Sequence, residues 1–259
     1  MQRRAVKSAS RTFEVLELFM ERRRPLRLNE IYHALDYPQS SATNLLKSMV
    51  MGGYLNYNRS TRTYLPTTRV AALGSWLPGF IHADSDYRAL VHEIQRRTDE
   101  TVGLATQNDL FIQYIIVKTP THEFKMPPPE GTMRLMVDAS SGLALMSRLS
   151  DRQIDKICRY TNYYELNDDR RVSVEEMMAE IRWIRHTGYS YRANKPTQEV
   201  SSISFTLDEE LYGIPLAVGV GGLADRISRN KSDIVSTMRE CIADFKARRM
   251  DSVMLQAAE

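Results

Sequence analysis

The sequence contains few of the residues that build covalent or metal cross-links. Only two of its 259 residues are cysteines, Cys158 and Cys241, and neither has a second cysteine or a histidine at the spacing of a metal site. A disulfide framework and a zinc-finger architecture are therefore excluded as the basis of the fold. Two isolated thiols are typical of a protein in a reducing compartment.

The sequence also lacks a long apolar run. It has no stretch of about 18 uncharged apolar residues, and the amino-terminal MQRRAVKSASRTFEV has basic residues without an apolar segment behind them. Neither a membrane span nor a secretory signal is indicated, so we expect a cytoplasmic protein with no membrane partner. Hydrophobic residues make up 42% and charged residues 26% of the chain, which suits a globular protein with a packed core.

Motifs of the common catalytic sites are absent as well. The sequence has no H-E-x-x-H, no G-x-S-x-G and no phosphate-loop lysine motif. Its histidines are scattered over unrelated contexts, at His33, His82, His92, His122 and His186. Cys158 as a nucleophile with His186 as its base stays open, although the helical pattern around Cys158 favours a packed core thiol. We expect no catalytic residue, no metal site and no cofactor.

Basic residues are concentrated at the amino-terminal end. The first 80 residues hold 12 Lys and Arg against 5 Asp and Glu, whereas the remaining residues hold 23 against 27, in a chain of net charge +3. A basic head on a mildly acidic body is typical of a polyanion-binding domain joined to a sensing or assembling domain. A charged surface that meets only solvent is the alternative.

Three helices are predicted before the glycine pair Gly52-Gly53. The first ends near Pro25 and has apolar residues at offsets 0, 4, 7 and 11, at Ala9, Phe13, Leu16 and Met20. A short second helix has its apolar positions at Leu28, Ile31, Tyr32 and Leu35. The third, capped by Gln39 or Ser40, has its apolar positions at Ala42, Leu45, Leu46, Met49 and Val50. Asp36-Tyr37-Pro38 breaks the chain between the last two, which predicts a helix-turn-helix.

The other face of the third helix indicates contact with DNA, because small hydrogen-bonding side chains let a helix enter the major groove. Two β-rich runs, 54–57 and 62–65, predict a hairpin that reaches the DNA as a wing. The predicted contacts to double-stranded DNA are Arg3, Arg4, Lys7, Arg11, Gln39, Ser40, Ser41, Thr43, Asn44, Lys47, Arg59 and Arg62. A winged-helix module for a protein partner is the alternative.

The rest of the chain predicts a connector and an α+β domain. A linker helix is predicted from residue 67 to 76, ended by Pro78-Gly79, and another helix over residues 87–98. Strands are predicted over residues 101–106, 110–117, 133–137, 200–207 and 214–220. Helices are predicted over residues 140–149, 151–160, 174–187 and 229–249. An antiparallel sheet with helices segregated around it is an α+β sandwich.

The amino-terminal region resembles the DNA-binding domain of IclR-family bacterial transcriptional regulators. The resemblance covers residues 6–74 and rests on the segments Val6-Lys7-Ser8-Ala9-Ser10-Arg11, Pro25-Leu26, Glu30-Ile31, Ser40-Ser41, Leu45-Leu46 and Gly53-Tyr54-Leu55. The chain departs from the family's usual residues at Arg27, Asp36-Tyr37, Asn44 and Pro66-Thr67. Aspartate tolerates the left-handed backbone of the usual glycine. Asparagine in place of arginine changes the preferred base, because Asn suits adenine edges and Arg suits guanine.

A weaker resemblance continues to residue 227 through Ser141-Gly142, Gly188-Tyr189 and residues 217–222. It implies a winged helix-turn-helix domain at residues 1–66, a linker helix used in dimerisation at 67–79, and a GAF-like effector-binding and oligomerisation domain at 80–259. It also implies effector contacts at Ser140, Ser141, Arg192, Ser202, Gly219 and Gly221.

The chemistry of these positions suits an organic acid. Ser140 and Ser141 begin a predicted helix, where free N–H groups favour a carboxylate. An inward-facing Arg192 would hold a carboxylate with two hydrogen bonds, and Gly219 and Gly221 would leave room for a ring. The alternatives are a simple helix cap at Ser140, a solvated loop at Arg192 and close sheet packing at the glycines.

Together these features predict a sequence-specific DNA-binding transcriptional regulator, a homodimer or homotetramer that responds to a small carboxylate or aromatic acid. One alternative is a small-molecule enzyme with a basic winged-helix domain for localisation or assembly, which would require turnover that depends on a His or Cys. The other is a winged-helix scaffold protein, which would show no salt-dependent association with DNA.

Overall fold

The computed structural model describes residues 6–75, 78–121, 127–195, 198–211 and 213–256. The chain folds into two compact units, Gln2–Gly79 and Phe80–Glu259. Each unit has a hydrophobic core of its own. Within the described ranges, no helix combines the length and the apolar character needed to cross a membrane.

The amino-terminal unit contains a helix-turn-helix followed by a hairpin. Its elements are α1 (Lys7–Arg22), β1 (Leu26–Arg27), α2 (Leu28–Ala34), α3 (Gln39–Met51), β2 (Leu55–Asn58), β3 (Thr63–Pro66) and α4 (Thr68–Ala72). The strands form an antiparallel sheet in the order β1-β3-β2. The predicted winged helix-turn-helix is confirmed. Strand β1 was not predicted, because two residues are too few to show a period of their own.

The face of α1 that packs into the core differs from the predicted one. Val15, Leu18 and Phe19, at offsets 0, 3 and 4, are buried. Phe13 and Met20, which were expected to share the apolar face, are 63% and 70% exposed. Apolar residues lie on two faces of α1, and the packing of the other elements selects the face that is buried.

The turn between α2 and α3 depends on Asp36. Its φ of +51° lies in the left-handed region, which aspartate tolerates better than most residues. The next residue, Tyr37, donates its N–H to the carbonyl oxygen of Tyr32 over 2.9 Å and its hydroxyl to the carboxylate of Glu14. Burial and this hydrogen bond raise the pKa of Tyr37 to about 12. The phenol therefore stays protonated at neutral pH and ties the turn to α1.

Three helix boundaries differ from the predicted ones. α3 begins at Gln39 directly after Pro38, so neither Gln39 nor Ser40 is its cap. The predicted linker helix ends at Ala72. Pro78 begins the next helix, which runs to residue 98, instead of ending the connector. Proline suits the first turn of a helix, because its missing N–H has no partner there and its φ is already helical.

The carboxyl-terminal unit is an α+β sandwich. Its elements are α5 (Pro78–Thr98), β4 (Thr101–Asn108), β5 (Phe111–Lys118), β6 (Met133–Leu135), α6 (Ser140–Met146), α7 (Asp151–Tyr164), a 3-10 turn (Asp168–Arg170), α8 (Val174–Thr187), β7 (Ser190–Arg192), β8 (Val200–Leu211), β9 (Ile214–Leu223), α9 (Ala224–Arg229) and α10 (Lys231–Gln256). The six strands pair antiparallel in the order β6-β5-β4-β9-β8-β7. The predicted antiparallel sheet is confirmed. β7 and α9 were not predicted, and the predicted last helix over residues 229–249 corresponds to α10.

Each face of the six-stranded sheet has a separate core. On one face, strand residues such as Leu104 and Val218 pack against α5 and α10 through side chains such as Leu90 and Met238. On the other face, the core combines Ile112 and Ala217 with side chains of α6, α7 and α8, among them Leu143, Ile154 and Ile181. Strand residues alternate between the two faces, as the pleat requires.

α6 approaches the chain before it more closely than a side chain would permit. All seven of its residues are buried. A Cβ on Gly142 would overlap the backbone carbonyl of Met136, which cannot move aside as a flexible side chain would. Glycine at this position therefore sets the distance between α6 and the segment that follows β6.

We expect Gly142→Ala to lower the free energy of unfolding of the carboxyl-terminal unit by about 1–3 kcal/mol, the usual cost of overpacking a core. Urea denaturation followed by circular dichroism measures the change. Gly74→Ala is the matched control, because a Cβ there meets nothing within 4 Å, and it should be neutral or slightly stabilising. Equal stability of the two variants would contradict the role assigned to Gly142.

Candidate functional site

The solvent-facing side of α3 is polar. Ser40, Thr43, Asn44 and Lys47 lie at offsets 0, 3, 4 and 7 and share one face of the helix. Ser40, Asn44 and Lys47 are exposed, and Thr43 is half-buried with its hydroxyl donating to the carbonyl oxygen of Gln39 over 2.7 Å. The opposite face is buried through Ala42, Leu46 and Met49. The helix therefore presents small hydrogen-bonding groups and one cation to solvent.

The two remaining predicted residues of α3 differ in exposure. Gln39 is exposed at the first position of the helix, whereas Ser41 is half-buried. In the sequence, Ser41 lies between Ser40, which is on the polar face, and the buried Ala42. Its position leaves its hydroxyl less accessible than the side chains of Asn44 and Lys47.

The hairpin has a hydrogen-bonded tip that carries two arginines. The side-chain oxygen of Asn58 accepts hydrogen bonds from the backbone N–H groups of Ser60 and Thr61, at 2.9 and 3.3 Å. Arg59 and Arg62 are exposed. In the part of the chain that the structure describes, neither is in a salt bridge. The tip therefore holds two cations in water with a fixed backbone beneath them.

The predicted basic residues of the amino terminus are placed differently from one another. Lys7 is exposed on the first turn of α1. The guanidinium of Arg11 lies over the ring of Tyr37, 4.5 Å from its centroid, so this cation is held against the turn of the helix-turn-helix. Arg3 and Arg4 lie outside the described residues.

A cavity of about 460 Å³ lies in the carboxyl-terminal unit. Its lining includes five of the six residues implied as effector contacts, namely Ser140, Ser141, Ser202, Gly219 and Gly221. Strand register brings small residues together along its wall: Gly103 pairs with Gly219, which pairs with Ser204. In the next row Thr101 pairs with Gly221, which pairs with Ser202. Small side chains across three neighbouring strands leave this space open beside α6.

A buried serine cluster joins α6 to the sheet. The hydroxyl of Ser204 lies 2.7 Å from that of Ser140 and 3.1 Å from that of Ser141. Ser190 donates its hydroxyl to the carbonyl oxygen of Ser140 over 2.7 Å. A Cβ on Gly219 would overlap the hydroxyl of Ser204 and press on that of Ser141. Glycine at this strand position therefore keeps room for the hydroxyls. The alternative of a simple helix cap at Ser140 is not supported, since Ala139 precedes α6 as its cap.

Among the described residues, the charged ones that line the cavity are four basic and two acidic: Glu100, Arg134, Asp138, Arg170, Lys195 and Arg226. The buried carboxylate of Glu100 accepts two hydrogen bonds from the guanidinium of Arg226. The carboxylate of Asp138 lies 3.2 Å from Arg170 and 3.8 Å from Lys195. Three of the four lining cations thus have a carboxylate partner within the cavity wall.

Arg192 lies outside the cavity lining, which corrects its predicted role. It is on strand β7, and its side chain is only 15% exposed, so it is not a solvated loop residue either. Its guanidinium contacts the carboxylate of Glu180 at 2.9 Å and donates to the carbonyl oxygen of Val137 over 2.6 Å. These bonds tie β7 to α8 and to the segment before α6. Arg192 therefore supports the scaffold around the cavity.

Among the lining residues that were missed from the sequence are Phe111, Tyr114 and Arg134. The ring of Tyr114 packs on Gly103, 2.9 Å from the position that a Cβ would take there. Burial raises the pKa of the Tyr114 phenol, and the neighbouring guanidinium of Arg134 offsets part of the rise. Aromatic residues in a strand predict only a core, so Phe111 and Tyr114 gave no signal. Arg134 did give one, since it is a charged residue inside the apolar run Met133 to Val137.

The open alternative of a cysteine nucleophile is not supported by the geometry. Cys158 is fully buried in α7, and burial raises the pKa of its thiol to about 11. His186 is exposed on α8. A buried thiol without a base beside it stays protonated and unreactive. Among the described residues, no group of three His, Cys, Asp or Glu side chains is arranged to hold a metal ion.

Two family models match the chain. The IclR helix-turn-helix domain matches residues 8–59, and the bacterial transcriptional regulator IclR C-terminal domain matches residues 83–246, which is more than half of the chain. Together they cover most of the unit with the polar α3 and most of the unit with the cavity. Both describe transcriptional regulators and not enzymes.

Curated relatives span nearly the whole chain. The transcriptional regulator XynR of Escherichia coli strain K12 is 21% identical over 226 residues, which are 86% of this chain and 88% of the relative. The transcriptional repressor IclR of the same organism is 23% identical over 240 residues, which are 87% of this chain and 83% of the relative. Each alignment covers more than four fifths of both proteins.

Solved structures of IclR-type regulators are also similar to this chain. An IclR homologue of Microbacterium hydrocarbonoxydans, complexed with 4-hydroxybenzoate, has a TM-score of 0.68 at 16% identity and covers 93% of this chain and 98% of its own. The effector domain of a transcriptional regulator IclR from Acinetobacter sp. ADP1 has a TM-score of 0.60 at 30% identity and covers 64% of this chain and 96% of its own. The chain therefore belongs to the IclR family of bacterial transcriptional regulators, with a helix-turn-helix DNA-binding domain and a carboxyl-terminal effector-binding domain.

Proposed function

We propose that this regulator reads a specific operator with α3 and that a small organic acid, a carboxylate or an aromatic acid, modulates its operator affinity or activity. The observation that carries the proposal is the cavity beside Ser140, Ser141 and Gly219, whose described lining has four cations against two carboxylates. An excess of positive charge in a partly enclosed space favours an anionic ligand.

The proposed DNA contacts divide into two kinds. Ser40, Thr43, Asn44 and Lys47 share the exposed face of α3, which is the part of a helix-turn-helix that meets base edges. Gln39 and Ser41 flank this face at its amino end. Arg59 and Arg62 at the wing tip, with Lys7, Arg11, Arg3 and Arg4, would neutralise phosphates and contribute affinity without sequence preference.

The proposed effector contacts are the lining residues Ser140, Ser141, Ser202, Gly219 and Gly221. A volume of about 460 Å³ is within the range of sites for small ligands. The structural relative that was complexed with 4-hydroxybenzoate shows that this fold accepts an aromatic acid in one family member. We propose a ligand of the same chemical class for this chain.

The proposed domains are a DNA-binding domain at residues 1–66, a connector at 67–79 and an effector-binding and oligomerisation domain at 80–259. A ligand changes operator affinity only through its different affinity for two arrangements of the protein. The connector is the natural element to differ between them, because its helix α4 has five residues and is too short to be stable alone.

We also propose that the protein works in the cytoplasm as a homodimer or homotetramer. A helix-turn-helix that reads two half-sites needs two copies of α3, one for each. Light scattering coupled to size-exclusion chromatography should give a mass of about two or four times 29.8 kDa. A monomer at the concentrations that bind DNA would contradict this part of the proposal.

Substitutions at Arg59 and Asn44 distinguish contacts that contribute DNA affinity from contacts that contribute sequence specificity. We expect Arg59→Ala to weaken binding to all duplexes by a similar factor and to lower the slope of log affinity against log salt by about one. Asn44→Ala should instead change the preferred base at one position, because a well-placed pair of hydrogen bonds contributes about 1–3 kcal/mol of discrimination. Selection from random duplexes and anisotropy titrations at several salt concentrations measure both effects.

The matched control for the charge is Arg152→Ala, since Arg152 is an exposed arginine of the other unit. It should leave affinity, salt slope and sequence preference unchanged. Arg59→Ala should keep the sequence preference of the unsubstituted protein, and so serves as the control for Asn44→Ala. If both variants lowered affinity for every sequence alike, the proposed reading role of α3 would be wrong.

A substitution at Gly221 tests the proposal that an organic acid binds in the cavity and modulates DNA binding. A Cβ at this position has its nearest neighbour 3.7 Å away, so the sheet tolerates a side chain there. Gly221→Val should fold and bind the selected duplex normally, but its two methyl groups should occupy the cavity and abolish the response to organic acids. The measurement is a titration of DNA binding with benzoate, 4-hydroxybenzoate and pyruvate. If no organic acid changed DNA binding by the unsubstituted protein, the proposed sensing function would be wrong.

A further inference from the structure

Arg134 differs from the other cations of the cavity. It is the middle residue of the edge strand β6 and lines the cavity. Arg226 is bound to Glu100, and Arg170 and Lys195 share Asp138. Within the ranges that the structure describes, no carboxylate lies within 4 Å of Arg134. A ligand anion that approached the other three cations would have to compete with a carboxylate of the protein.

Strand pairing directs Arg134 toward Tyr114. Arg134 pairs with Ile112 on β5, and Tyr114 lies two residues further along the same strand, on the same face of the sheet. The guanidinium lies close enough to the phenol to influence its pKa. A guanidinium has five N–H donors in one plane, and a single phenol oxygen uses only a part of them. Donors of Arg134 therefore remain for a second acceptor.

We infer that Arg134 binds the carboxylate of an aromatic monocarboxylic acid, whose ring lies in the cavity beside Tyr114. This inference rests on the proposed effector function and assigns it a residue and a ligand class. The partly buried arginine supplies the planar pair of donors that a carboxylate matches. Arg192, which was expected to do this, is already bound to Glu180 and to a backbone carbonyl.

The apolar parts of the lining favour a ring over a short acid. Phe111, Tyr114, Val117 and Leu223 all line the cavity with the small residues of β4 and β9. An aromatic ring prefers to meet another ring at its edge or in an offset stack. The hydroxyls of Ser140 and Ser141 lie in the same lining and add polar groups for a substituent on the ring.

The test is isothermal titration of the full-length protein with benzoate and with benzamide, which has the same shape and no charge. Benzoate should bind the unsubstituted protein at least about tenfold more tightly than benzamide does, because a hydrogen-bonded charge pair is lost with the amide. Arg134→Gln should lower the affinity for benzoate by at least about tenfold and leave the affinity for benzamide unchanged. Arg134→Lys should recover part of the affinity, since it keeps the charge but not the planar donors.

Arg152→Gln is the matched control, because Arg152 is an exposed arginine of the same unit and lies outside the cavity lining. It should change the dissociation constant of benzoate by less than about threefold. Circular dichroism and DNA binding verify that each variant is folded. If Arg134→Gln fails to fold, the ratio of benzoate to benzamide affinity in the unsubstituted protein and in Arg134→Lys decides the question.

Three results would overturn the inference. These are no binding of benzoate, equal binding of benzoate and benzamide, and unchanged benzoate affinity in Arg134→Gln. Failure of the proposed function looks different. In that case benzoate binding and its dependence on Arg134 would persist, while DNA binding would not respond to any organic acid.

Discussion

The cavity depends on the register of three antiparallel strands. Only this register places Gly103 beside Gly219 and Gly219 beside Ser204, so that small residues coincide across β4, β9 and β8. A shift of one residue would turn each of these side chains to the opposite face of the sheet. Large residues such as Leu104 and Val218 would then occupy the space beside α6. The site is thus a consequence of pairing and not of any single residue.

The serine cluster depends on the same strand register and on the packing of α6 against the sheet. Close packing of α6 against the preceding chain through Gly142 brings two serines to the sheet, where Ser204 meets both hydroxyls. Buried hydroxyls are tolerated in a core only when they are hydrogen-bonded. Their mutual bonds therefore hold the helix in place beside the cavity and leave the space itself to a ligand.

The cations of the two units lie in different surroundings. In the carboxyl-terminal unit, cations in the cavity wall are mostly paired, because a charge removed from water needs a partner. In the amino-terminal unit Arg59 and Arg62 are exposed to water on a hydrogen-bonded hairpin tip, where a cation without an acidic partner among the described residues costs little free energy. Exposed cations on a hairpin tip suit a polyanion, whereas Arg134, which has no carboxylate partner among the described residues, suits one small anion.

The sequence by itself determined the helix-turn-helix, the antiparallel sheet and the polar face of α3, because periodicity and turn residues act over short distances. It also determined that Asp36 could replace the usual glycine of the turn. Only the tertiary structure decided which face of α1 is buried, that Arg192 pairs with Glu180, and that Arg134 lines the cavity. Those outcomes depend on side chains far apart in the chain, and no local pattern records which of them meet.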